Sequence, residues 1–159
     1  MFPSARIHIT LLAGLVFLLM SSVAPHLSAQ SVSADDVLGV WYTEGNKSKV
    51  RIYEENGRYH GEIIWLKNPT YEDGTQKIDK NNPSPLLRRR PLIGLNIIKD
   101  FEFDGDDEWE DGTIYDPENG EEYSCYMEFE DPSNKDKLKV RGYIGVSLIG
   151  RTTYWNRVE

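Results

Sequence analysis

The sequence holds a single cysteine, Cys125, so no intramolecular disulfide can form and the core must hold itself by packing. Histidine is nearly as scarce. Of the three, His8 and His26 stand in the first twenty-nine residues and only His60 follows. That removes many nucleophilic mechanisms, which need a base near neutrality beside the nucleophile. Positive charge is short as well: 18 Lys and Arg against 26 Asp and Glu give a formal net charge of −8. Nucleic-acid phosphates need a positive face, so this balance argues against a nucleic-acid partner, and equally against docking on an anionic lipid surface. Beyond Met20 no apolar run is long enough to span a bilayer.

The one long apolar run, Ile9 to Met20, follows the basic Arg6 and precedes the small pair Ser28-Ala29. It is too short for a stable span but suits the apolar region of a secretory signal peptide, with cleavage after Ala29. The rival is a signal anchor. Gln30, not cysteine, stands directly after the cleavage site, so no lipid anchor is expected there. Residues 30–159 then form one domain with 17 basic and 26 acidic side chains, a net charge of −9, in the periplasm or outside the cell. A chain of 130 residues can bury roughly two thirds of its unfolded surface as one domain.

From Leu38 onward, apolar and polar residues alternate with period two, broken by turn signals every eight to twelve positions. Lys47 to Glu54 and Arg58 to Leu66 flank Asn56-Gly57, whose residues supply the positive φ angles of a tight hairpin. On the second of these strands Tyr59, Gly61, Ile63 and Trp65 share a face. Leu92 to Phe103, Gly112 to Tyr115, Glu122 to Glu130, Lys137 to Ile144 and Arg151 to Val158 read as further strands. Ala34 to Leu38 is expected to make one helical turn. About eight strands predict an all-β, closed antiparallel up-and-down barrel, the size at which side chains just fill the interior or leave room for one small ligand. Two stretches break the spacing. Residues 67–90 form a long polar loop rich in Pro, Asn and Asp, and 100–111 read as a connection with eight acids in twelve positions.

Gly39-Val40-Trp41 opens the first strand and Arg157 ends the last. In an even-stranded up-and-down barrel those ends meet, which places the Arg157 guanidinium against the Trp41 indole at the barrel base. The combination resembles the lipocalin signature. Asp79 to Pro83, Arg90 to Leu95, Gly112 to Gly120 and the run from Leu138 to Trp155, in this order, resemble an exported bacterial family, domain of unknown function 2147. The resemblance runs from about Leu38 to Val158. It implies a lipocalin-like, calycin-type barrel and an exported home, and it implies no activity.

The chemistry on offer is thin. His60 falls on the outward face beside Arg58 and Glu62, whereas Cys125 falls on the apolar face as a small core residue, so the two cannot form a dyad. The acids of 100–111 lack calcium-loop spacing, because Trp109 stands where glycine is required. A weak divalent-ion site there is the rival to a solvated acidic loop. Neither cofactor nor metal is expected. Arg88, Arg89 and Arg90 are candidates for contact with an anionic head group at the barrel mouth, against the alternative that they neutralise the acidic loop. Trp41, Ile52, Tyr59, Ile63, Trp65, Met127, Phe129, Val140 and Trp155 are expected to share the interior, with Gly61 and Gly142 leaving space. Tyr59, Ile63, Trp65, Met127, Phe129 and Trp155 are the candidate ligand contacts. The leading expectation is a binding module for a small apolar or amphipathic ligand. The alternatives are a filled barrel that docks a partner through loop 67–90, and an enzyme of unrecognised type using loop carboxylates.

Overall fold

The computed structural model describes residues 31–146 and 148–158. The expected leader, residues 1–29, lies outside the described residues. Eight strands run in sequence order: β1 Gly39–Tyr42, β2 Ser48–Glu55, β3 Arg58–Leu66, β4 Asn96–Phe103, β5 Glu108–Asp116, β6 Glu121–Asp131, β7 Asn134–Tyr143 and β8 Gly150–Arg157. Each pairs antiparallel with its neighbours, and β8 returns to β1 through Trp41↔Arg157, closing the barrel. Closure leaves no long sheet edge unpaired among the described residues. No helix among the described residues is long and apolar enough to cross a membrane.

The β2–β3 hairpin turns at Asn56 and Gly57, with φ of 56° and 80°. This is the left-handed pair that the strand twist demands of a two-residue turn. Before β1, Ala34–Val37 makes one turn of 3-10 helix that seals one end of the barrel. Its carbonyls receive two indoles: Trp41 Nε1 donates to Val37 O at 2.8 Å, and Trp109 Nε1 donates to Ala34 O at 3.1 Å. Buried indoles need such partners, so the helical turn and the two tryptophans fix one another. Phe129 packs edge-on to Trp109 at 5.5 Å, Tyr59 meets the same ring at 6.4 Å, and Met127 is buried with them in the core.

Arg157 completes this end. Its guanidinium lies 4.2 Å from the Trp41 ring centroid and donates to the carbonyls of Asp36, Leu38 and Lys135. Gly39 has φ of 127°, and a Cβ built there would sit 3.1 Å from Arg157 Nη1. Glycine at this position supplies the backbone angle and makes way for the arginine.

The acidic stretch 100–111 corrects the sequence reading, because most of it is strand. β4 runs to Phe103, only residues 104–107 turn, and β5 starts at Glu108. Phe101 and Trp109 are fully buried, while the acids are exposed except for the half-buried Glu108. Alternation of acid and aromatic is itself a period-two pattern, which the density of charge obscured. Asp100 and Asp111 take φ of 62° and 58°, a region that Asp tolerates better than most residues, and the strand register shifts at both places. These irregularities lay the Phe101 ring directly over Gly112, where an added Cβ would fall 2.1 Å from the ring.

Trp65 is a second correction. Lys49 pairs with Trp65 but Val50 pairs with Ile63, so Ile64 is an extra residue on β3. A bulge of one residue reverses the facing of everything beyond it. Trp65 therefore stands outside the barrel, packed edge-on to Tyr42 at 6.2 Å beneath the Lys49 ammonium, and Leu66 takes the inward direction.

Candidate functional site

The end opposite Arg157 is open and holds a cavity of about 1020 Å³. Its walls include Ile63 and Leu66 from β3, Ile97 from β4, Ile114 from β5, Val140 from β7 and Trp155 from β8. Alternation sends one side chain in two inward on each strand, and these happen to be branched or aromatic. Gly142 also faces this space. A Cβ there would reach ordinary to tight contact with Ile114 and Tyr123, so the glycine keeps one wall thin. Gly61 does not serve the same end: Ile98 and Val50 already crowd its missing side chain at 3.0–3.1 Å.

A strap formed by residues 67–95 borders the mouth. Asp79 N–H donates to Arg90 O and Leu92 N–H to Lys77 O, giving the strap a short ladder of its own. The strap is bolted to the barrel by Asp79, which is completely buried. One Asp79 oxygen accepts from Tyr115 Oη at 2.6 Å. The other accepts from Arg90 Nε at 2.8 Å and from Asn82 Nδ2 at 2.9 Å. Asn82 also donates to Tyr115 Oη at 3.1 Å. A buried carboxylate is tolerable only when paired and hydrogen-bonded, and here both oxygens are satisfied. Burial, then the acceptor carboxylate of Asp79, push the Tyr115 phenol above its ordinary pKa, so it stays a donor. Nearby, Asn81 Nδ2 donates to the carbonyls of Pro117 and Glu118. A Cβ on Gly120 would fall 2.0 Å from Asn81 O, so the strap lies flat on the β5–β6 turn.

The expected site residues therefore separate. Ile63 and Trp155 line the cavity. Tyr59, Met127 and Phe129 are buried in the packed core at the closed end, and Trp65 is outside. The arginine row is corrected too, since none of Arg88, Arg89 and Arg90 lines the cavity. Arg90 is the partner of Asp79 rather than of the acidic stretch, Arg88 donates to the carbonyls of Asn82 and Pro83, and Arg89 is exposed. The sequence reading missed Leu66, Ile97 and Ile114 as cavity wall and Asp79 as anchor. The signal for Asp79 was present in the clustering of Asp79-Lys80-Asn81-Asn82-Pro83 with Arg90-Pro91, two turns that a strap would need.

Two reactive side chains are placed away from this space. Cys125 is buried, and burial pushes its thiol well above the ordinary range. His60 stands on the outer face against Tyr53, and its Nδ1 accepts the Asp100 N–H at 3.4 Å. In the acidic turn, Asp104 Oδ1 accepts three successive backbone N–H groups, of Asp106, Asp107 and Glu108. Among the described residues no cluster of His, Cys, Asp or Glu is arranged to hold a metal ion.

An eight-stranded up-and-down barrel with one end packed around Gly39, Trp41 and Arg157 and the other open on a cavity is a lipocalin-like barrel. A solved structure agrees: protein HP1028 from the human pathogen Helicobacter pylori, which belongs to the lipocalin family, superposes with a TM-score of 0.65 at 25% identity, over 77% of this chain and 83% of that one. The chain belongs to the family described as "Uncharacterized protein conserved in bacteria (DUF2147)", whose model matches residues 39–157. No curated protein matches it.

Proposed function

We propose that the mature chain is an exported, non-enzymatic carrier that holds one small apolar or amphipathic molecule in the open half of the barrel. The observation that carries this reading is the cavity itself: about 1020 Å³ with apolar walls, bordered by a strap that is fastened in place. Small-molecule sites span roughly 300–1,000 Å³ and have mainly apolar linings with a few polar groups, which is the character of this one. The apolar run before Ser28-Ala29 supports export to the periplasm or beyond. Support for a non-catalytic role comes from His60 on the outer face and Cys125 held in the core. A filled barrel docking a partner through 67–90 is the weaker reading, because the strap spends Asp79, Asn81, Asn82, Arg88 and Arg90 on internal contacts.

Native mass spectrometry of freshly purified protein tests the proposal. The expected result is an added mass that disappears on denaturation and is absent from an Ile114→Trp variant whose cavity is filled. An empty chain that also fails to give saturable fluorescence with the neutral probe N-phenyl-1-naphthylamine would overturn it.

A further inference from the structure

The cavity rim has the opposite charge balance to the rest of the chain. Five cations line it, Lys47, Lys67, Lys77, Lys80 and Arg151, against Glu44, Asp116 and Glu118. Two of the cations are spoken for: Lys47 pairs with Glu118 at 3.6 Å and Arg151 with Glu44 at 2.9 Å. Asp116 turns an oxygen to the Glu118 N–H. Among the described residues no carboxylate lies within ion-pair distance of Lys67, Lys77 or Lys80, and only Lys80 has a ring contact, with its ammonium 5.3 Å from the Tyr71 centroid. In a chain with net charge −8, three ammonium groups without an ion pair among the described residues gather around one opening. Several other lysines on the barrel surface are paired with an acid, as in Lys99–Glu122, Lys137–Glu130 and Lys139–Glu128.

We infer that the ligand is an amphiphile with an anionic head: an apolar tail lying along Ile63, Ile114, Val140 and Trp155, and a head held at the rim by Lys67, Lys77 and Lys80. This rests on the carrier reading above and specifies its ligand class. Lys67 opens the strap and Lys77 and Lys80 flank its fastened turn at Asp79, so Asp79 indirectly places the head-group contacts. Flexible lysine ammoniums suit a head group at a wet rim, where a point charge suffices and no fixed fork geometry is required. The same charges would draw an anion toward an otherwise repelling surface, an effect that salt weakens.

Dodecanoate, dodecan-1-ol and dodecyltrimethylammonium share one tail and differ in head charge, and binding of each is followed by tryptophan fluorescence and by calorimetry. Wild-type protein should prefer dodecanoate over the alcohol by about tenfold, a difference of roughly 1.4 kcal/mol, and bind the cation most weakly. Raising salt from about 20 mM to about 300 mM should shrink that preference. The triple variant Lys67→Gln/Lys77→Gln/Lys80→Gln should lose the preference for dodecanoate while still binding the alcohol, which shows that the cavity remains intact. Equal wild-type affinity for acid and alcohol, or equal loss of both in the variant, overturns the head-group inference and leaves the carrier reading standing. If wild-type protein binds none of the three, both fall.

Discussion

Gly112 is the residue at which the fewest atoms decide the most. The Phe101 ring fills the place of its missing side chain, with the nearest ring atom 2.1 Å from a built Cβ. Phe101 is fully buried and has nowhere to retreat. Gly112→Ala is therefore expected to destabilise the barrel by about 2–3 kcal/mol, the usual cost of overpacking. Adding Phe101→Leu should recover part of the loss, as measured by urea unfolding of the two variants and the pair. Glu108 sets a second test. It is cross-strand from Glu128, and burial first, then the charges of Glu128 and Glu110, raise its pKa to about 7. A carboxyl that binds its proton more tightly folded than unfolded stabilises the protein below its ordinary pKa and loses that contribution as pH rises through about 7. Glu108→Gln should thus raise stability at pH 8, by about 1 kcal/mol after allowance for solvent screening at this partly exposed position. Near pH 4 it should change little. Thermal unfolding across that range checks both halves.

Among the elements, the strap has the most to lose from one substitution. Its four named anchors, Asp79, Asn82, Arg90 and Tyr115, share a single carboxylate. Asp79→Ala would leave the Tyr115 hydroxyl and the Arg90 guanidinium without their acceptor. Removing one partner of a buried pair costs about 3–5 kcal/mol, and the partial exposure of Arg90 reduces this to about 2–3 kcal/mol. Hydrogen exchange should show the loss concentrated in residues 76–92, while the amides of β6 and β7 keep their protection. Tyr115→Phe keeps the Arg90 pair and should produce a milder version of the same pattern. The β3 bulge is the other element-scale device. It alone puts Trp65 outside and Leu66 inside, so Trp65→Ala should cost stability through its contacts with Tyr42 and Lys49 and leave ligand affinity unchanged in a fluorescence titration.

At the scale of the whole molecule the barrel divides its labour along its axis. One half is filled by Trp41, Trp109, Phe129 and Tyr59 and locked by Arg157; the other is open and bordered by the strap. Substitutions should divide in the same way. Arg157→Ala strips the carbonyls of Asp36, Leu38 and Lys135 of their donor and uncovers Trp41. It should lower the midpoint of denaturant unfolding markedly, by about 2–3 kcal/mol of stability, with cavity binding intact in whatever fraction remains folded. Ile114→Trp should do the reverse, removing binding with a stability change within about 1 kcal/mol because it fills space instead of crowding a packed core.

Much of this was written in the order of residues. Period-two alternation and the Asn56-Gly57 turn specify strands and hairpins because both act over a few neighbouring positions, and Gly39-Val40-Trp41 with Arg157 specifies closure because an even barrel must bring its ends together. Trp41, Ile52, Ile63, Val140 and Trp155 were legible as interior for the same reason. What alternation could not supply was any break in its own count. The bulge at Ile64 displaced Trp65, and the shifts at Asp100 and Asp111 turned an apparent acidic loop into two strands with Phe101 and Trp109 inside. Nor could composition say which arginine meets which acid: Arg90 found Asp79, eleven residues away and wholly buried, and not the acids of 100–111. The sequence by itself determined a closed β-barrel with a packed base, because those features follow from local pattern and strand parity. Only the tertiary structure decided that the other end stays open, which side chains line it, and that three lysines with no ion pair among the described residues stand at its rim, because empty volume and charge pairing belong to distances between strands and not to their order.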